Sequence, residues 1–171
     1  MLRAIHIIPD TSLCPEIEAL RQCFDWLHPF LPAHITLVFP FDLPGVSDED
    51  LIDHCQRVAN EFMAFDVSLL PPERSGDDHC WLPVGPHALL DKLAARLHGG
   101  PLSALSPHRR KFMPHITLAR PPLAAGTLAA IRAFWPSGPV VLSADSITLE
   151  SIHAGQRSEV LACLALHPSA C

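Results

Sequence analysis

Tyrosine is absent from the 171 residues, and charge is scarce, with Asp, Glu, Lys and Arg together at 18%. Any aromatic platform for a ligand has to come from Phe, Trp or His. Acidic residues outnumber basic ones, 18 to 12, for a net charge of −6, which excludes a broad face for nonspecific nucleic-acid binding because phosphate neutralisation needs clustered cations. A small local site remains compatible with that balance. Long apolar runs are missing as well: each is broken by Pro, His or a charge, so no segment reads as membrane-spanning. The apolar part of the opening segment, 1–9, is too short for a secretory leader, and a cytoplasmic address is expected. Cys14, Cys23, Cys55, Cys80, Cys163 and Cys171 show no C-x-x-C spacing, so neither a zinc site nor a redox centre is expected and the thiols read as reduced. The 11 histidines form no H-E-x-x-H or other close ligand spacing, and no metal or cofactor is expected.

What is present is a globular composition, 49% hydrophobic, long enough for one well-cored domain or two small lobes sharing a core. Within it one tetrapeptide occurs twice, as His34-Ile35-Thr36-Leu37 and as His115-Ile116-Thr117-Leu118. On an extended strand side chains alternate, so His34 and Thr36 project to one face while Ile35 and Leu37 go to the other, buried one. His115 and Thr117 do the same. Each copy presents an imidazole beside a hydroxyl, a combination that can hold an anionic group and move a proton to or from it.

The surrounding pattern reads as a duplication. A strand at about 3–8 leads to a helix at roughly 13–28, which Asp10, Thr11 or Ser12 can cap. The first motif strand follows, then a helix opened by Ser47-Asp48-Glu49-Asp50 and running to about Phe62, then a strand at 65–70. The same order returns as a strand near 80–84, a helix at about 87–98, the second motif strand, a helix near 123–134 and a strand from Val140 to Leu149. The segment 71–78 reads as the connection between halves, and 99–111 as a long basic loop, whose length is of the kind often used for function. Thus a single domain over 1–171 is expected, duplicated over approximately 3–70 and 79–149, with a final strand near 159–166.

With two H-x-T motifs on matching strands, the first continuing Val38-Phe39-Pro40-Phe41 and the second set in Met113-Pro114-His115-Ile116-Thr117-Leu118-Ala119-Arg120, the chain resembles the 2H phosphoesterase superfamily. Within it the chain is similar to the 2′-5′ RNA ligase-like proteins, which include RNA 2′,3′-cyclic phosphodiesterases. The resemblance implies an α+β fold of two pseudo-symmetric lobes, each a sheet flanked by helices, with the motifs meeting in a central cleft. It implies that His34 and His115 are a general base and a general acid, in an order left open, and that Thr36 and Thr117 hydrogen-bond the nonbridging phosphate oxygens. No metal is required by that chemistry, since imidazolium and hydroxyl donors stabilise the charge.

Arg120 resembles a phosphate-contacting arginine, although strict alternation puts it on the Ile116 face unless a strand end or bulge re-aims it. Further candidates for substrate contact are His6, on a strand that could look into the cleft, Phe39, Phe112, Trp81 and Arg110. The run Arg109-Arg110-Lys111 reads equally as a solvated loop, and Trp81 and Phe112 read as core in preference to stacking platforms. His6, His79, His108 and His153 read in preference as structural or surface residues, with His6 and His108 able to reach the cleft; His28, His54, His87, His98 and His167 read as surface or helix-end residues. The expected activity is metal-independent opening of a 2′,3′-cyclic phosphate, on an RNA end or a nucleotide, to a 2′-phosphate, with the reverse 2′-5′ joining reaction implied. The alternatives are a phosphodiesterase for another small cyclic or a linear 2′-5′ or 3′-5′ linkage, and a noncatalytic module binding an RNA end or nucleotide. A monomer without membrane association is expected.

Overall fold

Buried residues recur along the chain with the two periods that define its elements. In Ala88–Leu97 the buried positions are Leu90, Leu93, Ala94 and Leu97, one stripe of a helix, and in Phe65–Leu69 they are Phe65, Val67 and Leu69, one face of a strand. A computed structural model describes residues 1–76, 78–108, 112–153, 155 and 157–168. The first half runs β1 (Leu2–Ile7), α1 (Glu16–Phe24), β2 (Ile35–Phe41), α2 (Asp48–Ala59) and β3 (Phe65–Leu69). The second runs β4 (Glu73–Arg74), β5 (Cys80–Pro83), α3 (Ala88–Leu97), a 3-10 helix (Gly100–His108), β6 (His115–Ala119), α4 (Thr127–Phe134) and β7 (Val140–Ala144), and β8 (Ser146–Ile152) and β9 (Ser158–Ala165) follow.

The architecture is α+β, with antiparallel sheets flanked by helices. One sheet has the order β4-β5-β6-β2-β1-β8-β9, and β3 pairs with β7 in a second. The four middle strands of the large sheet are symmetric between the halves: β1 beside β2 matches β5 beside β6, and the two pairs meet where β2 adjoins β6. The helices cross over, α1 packing on β6 and α3 on β2, so each half covers the other's motif strand. Neither half buries its own strand alone.

Several boundaries differ from the sequence reading, each for a local reason. Helix α1 begins only after Pro15, because Asp10 spends its carboxylate on the turn through Ser12 (2.8 Å to the Ser12 amide) instead of capping the helix. Helix α2 keeps the expected start, with Ser47 and Asp50 forming a reciprocal capping box. The strand expected over 140–149 is two strands, since the chain changes sheet at Asp145: β7 pairs with β3, whereas β8 lies between β1 and β9. The expected loop over 99–111 is largely the 3-10 helix, and the connection at 71–78 contains β4.

His54 is a further correction, being buried inside α2 with Nε2 donating to the Leu97 carbonyl at 3.0 Å. That bond pins the ring against Gly100, which has a φ of +54°, and a Cβ there would lie 2.9 Å from His54 Nδ1. Gly100→Ala is therefore expected to cost about 1–3 kcal/mol through overpacking and left-handed strain, read from urea unfolding; a wild-type midpoint would show that the ring can yield.

Candidate active site

The two motif strands lie side by side at the middle of the large sheet, paired antiparallel through Ile35 and Ile116. Both isoleucines are fully buried, which commits the alternate residues to the opposite face. Running antiparallel from that pair, His34 advances toward Thr117 and Thr36 toward His115, so each imidazole is set beside the other motif's hydroxyl as well as its own. All four side chains line one cleft of about 580 Å³.

The histidines are anchored identically. His34 Nδ1 donates to the Pro32 carbonyl and His115 Nδ1 to the Met113 carbonyl, each at 2.8 Å and each two residues back along the chain. A carbonyl only accepts, so Nδ1 carries hydrogen in both rings and Nε2 is left for the cleft. Their surroundings differ. His34 is 9% exposed, and burial, followed by the charge of the neighbouring His6, holds its pKa well below the ordinary histidine value; Arg21 and Arg120 push the same way, against the Pro32 carbonyl. His34 is therefore neutral at neutral pH. His115 is only partly buried and lies against Trp81, with ring centroids 4.2 Å apart.

Arg120 lines the same cleft. It follows the last residue of β6, where alternation no longer governs direction, and its Nε donates to Asp25 Oδ1 at 2.8 Å. Asp25 Oδ2 in turn accepts from Arg21, which is fully buried and also bonds Glu18 and the Leu31 carbonyl (2.8 Å). Glu18 accepts from the Ala33 amide at 2.7 Å, so one charged cluster on α1 fixes both Arg120 and the segment leading into His34. Sequence reading missed this cluster because Asp25 and Arg120 are 95 positions apart. The i, i+3 spacing of Glu18 and Arg21 and the i, i+4 spacing of Arg21 and Asp25 were the local signals.

Of the other candidates, His6 and Phe39 line the cleft, His6 buried and Phe39 57% exposed. Phe112 lies outside it, in an adjoining hollow that shares Trp81, Met113 and His115, where it packs partly buried against the core. Arg110 lies outside the described residues, as do Arg109 and Lys111. Trp81, read from sequence as core, lines both hollows, and Trp26, His79 and Glu150 join the cleft without having been expected there. His87 caps α3, accepting from the Leu90 amide at 3.3 Å. The five described cysteines are unpaired; burial raises Cys14 to about 11 and Cys55 to about 12, which leaves both as unreactive thiols. Among the described residues no three His, Cys, Asp or Glu side chains converge as a metal site, and no helix is long and apolar enough to cross a membrane.

Comparison with known proteins adds the following. The profile of the family described as the 2′-5′ RNA ligase superfamily matches residues 9–156. A Geobacillus sp. (strain WCH70) protein, named provisionally as a phosphoesterase, is 25% identical over 122 residues, covering 70% of this chain and 69% of that protein. A Geobacillus kaustophilus (strain HTA426) protein named in the same way is 28% identical over 122 residues, with 70% and 69% covered. Among solved structures, TT0787 of Thermus thermophilus superposes with a TM-score of 0.68 at 18% identity over 99% of this chain and all of that one. E. coli LigT complexed with 3′-AMP gives 0.61 at 21% identity, covering 96% and 97%. These structural likenesses establish the fold.

Proposed function

Because this chain belongs to the 2′-5′ RNA ligase superfamily, a family of phosphoesterases, we propose that it opens 2′,3′-cyclic phosphates of RNA ends or nucleotides to 2′-phosphates without a metal ion. The observation that carries this reading is the crossed pair of imidazoles and hydroxyls in one cleft, each imidazole tautomer set by a backbone carbonyl. A complex of E. coli LigT with 3′-AMP supports a nucleotide as the ligand class. The matched pairing of the halves supports reading them as a duplicated unit, with the duplication supplying the two histidines.

In this mechanism His34, neutral and with its Nε2 lone pair available, takes a proton from water as the water oxygen bonds to phosphorus. The bond from phosphorus to the ribose 3′ oxygen breaks, and His115 Nε2 supplies the proton that oxygen needs. Thr36 and Thr117 donate to the nonbridging oxygens, and Arg120 places a cation at the same wall. With the 5′-hydroxyl of another end attacking phosphorus in place of water, and the ribose 3′ oxygen again leaving with the proton from His115, the same groups join 2′-5′ ends; run backward, that step cleaves the 2′-5′ linkage. A screen of 2′,3′-cyclic mononucleotides, cyclic-phosphate-ended RNA and linear dinucleotides, with the product phosphate located by NMR, tests the assignment. Turnover to a 2′-phosphate is the expected result; tight binding without product would show a binding module.

Thr36→Val and Thr117→Val keep the branched shape and remove one donor each. A hydrogen bond to a charged group is worth about 1.5–3 kcal/mol, so each variant should lose roughly ten- to a hundredfold in kcat, with little change in thermal midpoint. Full activity in both would exclude the phosphate-clamp role.

A further inference from the structure

His6 and Glu150 take no part in the chemistry above, yet both are more deeply buried than His34, at 3% and 1% exposure. They stand on neighbouring strands: β1 pairs with β2 through His6 and Thr36, and with β8 through Ala4 and Glu150. Burial works to raise the Glu150 pKa, but the hydrogen bond and charge of His6, together with the Ser158 hydroxyl donating from β9, outweigh it and hold the carboxyl below its ordinary range. Glu150 is therefore a carboxylate, and His6 Nε2 is the donor in their 2.8 Å hydrogen bond. An apolar pair would pack the same strands without burying charge. Something other than stability accounts for the pair.

The neighbour of His6 in the cleft is His34. Their ring centroids are 4.6 Å apart with planes at 67°, an edge-to-face contact, and His6 Nδ1 is buried without a hydrogen-bond partner. No proton passes directly between the rings in this arrangement. What is transmitted is orientation and field: Glu150 fixes the plane of His6, and the His6 ring packs on His34.

We infer that His6 and Glu150 form a positioning pair for His34, in which the carboxylate on β8 holds the His6 ring and that ring sets the orientation of the His34 imidazole and its readiness to take a proton. This rests on the reading of His34 as the proton acceptor. The charged or titratable groups acting on His34 are His6 from β1, Arg21 from α1 and Arg120 from beyond β6, with the Pro32 carbonyl on its own segment and Thr117 opposite. Both arginines are locked to Asp25, whereas the His6 charge can be removed without dismantling that cluster.

The test titrates the His34 ring by NMR in the unliganded protein and follows kcat and KM for a 2′,3′-cyclic nucleotide across pH. His6→Gln keeps a donor for Glu150 and removes the imidazole whose charge interaction lowers His34. His6→Phe combined with Glu150→Leu keeps an aromatic ring against His34 and removes both charges. In each variant the His34 titration should move up by about one pH unit, and the acid limb of the rate profile with it. In His6→Gln kcat should fall about tenfold with KM changed less than about threefold, and the double variant should recover part of kcat through its ring. If His6→Gln does not fold, the double variant decides alone. A His34 titration identical to wild type in a folded variant would overturn the inference; a shifted titration in a protein that never turns over the nucleotide would overturn the proposed reaction instead.

Discussion

Alanine at His34 or at His115 is expected to remove all but a trace of turnover on a 2′,3′-cyclic phosphate, a loss of roughly a thousandfold or more in kcat, because each change leaves one of the two proton transfers without a partner. The double variant should be little worse than either single one, since groups that act in one step do not contribute additively. Folding should survive both, as each ring lines the cleft and hydrogen-bonds the backbone carbonyl two residues before it. The pH profile of the parent should be a bell. Its acid limb reports protonation of His34 and should lie below the ordinary histidine value, because burial and His6 disfavour the charged form; its basic limb reports loss of the proton that His115 must supply. EDTA should leave the rate unchanged. Chelator-sensitive activity restored by zinc or manganese, or full activity in either alanine variant, would exclude the two-histidine mechanism.

Asp25→Ala should produce the largest loss of stability of any change near the cleft. Asp25 is 3% exposed and accepts from Arg21, Arg120 and the Leu27 amide at once, and Arg21 has no exposure at all. Deleting the carboxylate strands a buried guanidinium with only Glu18 and a carbonyl for compensation, a situation that costs about 3–5 kcal/mol. For a domain of this size that is a large share of the total stability and lowers the thermal midpoint by roughly 10 °C. Activity should fall further than stability explains, because Arg120 loses the partner that holds it at the phosphate wall. Adding Arg21→Met to Asp25→Ala should restore most of the midpoint without restoring activity, since it removes the stranded charge and leaves Arg120 loose. An Asp25→Ala protein as stable as the parent would show that the cluster is solvated in solution and does not position Arg120.

Much of this was legible in the chain. The helix starting at Ser47 and the alternation in Phe65–Leu69 are local patterns, and local patterns survive without knowledge of what they pack against. Reading failed where packing chose between locally equivalent options. Val140 to Leu149 reads as one strand, and the weakly strand-forming Asp145-Ser146 within it does not by itself say that the chain there leaves one sheet for another. His54 is polar by type and reads as a surface residue, yet it shares the helix stripe of Leu51, Cys55 and Val58, and α3 and Gly100 close over it. Trp81 reads as a core aromatic by type, and its place beside His115 follows from the pairing of β5 with β6.

For the site the division is sharper. The sequence by itself singled out the four side chains proposed to carry the chemistry and determined that His34 and Thr36, like His115 and Thr117, share a face, because a strand's alternation is a property of the backbone alone. Only the tertiary structure decided that the two faces are one face: the Ile35 and Ile116 pairing, made across two halves of the chain, sets each histidine beside the other motif's threonine. It also decided what makes two identical tetrapeptides unequal. Desolvation and the field of His6 and of Asp25's two arginines come from elements remote in sequence, and they act on His34 through space, where no spacing along the chain records them.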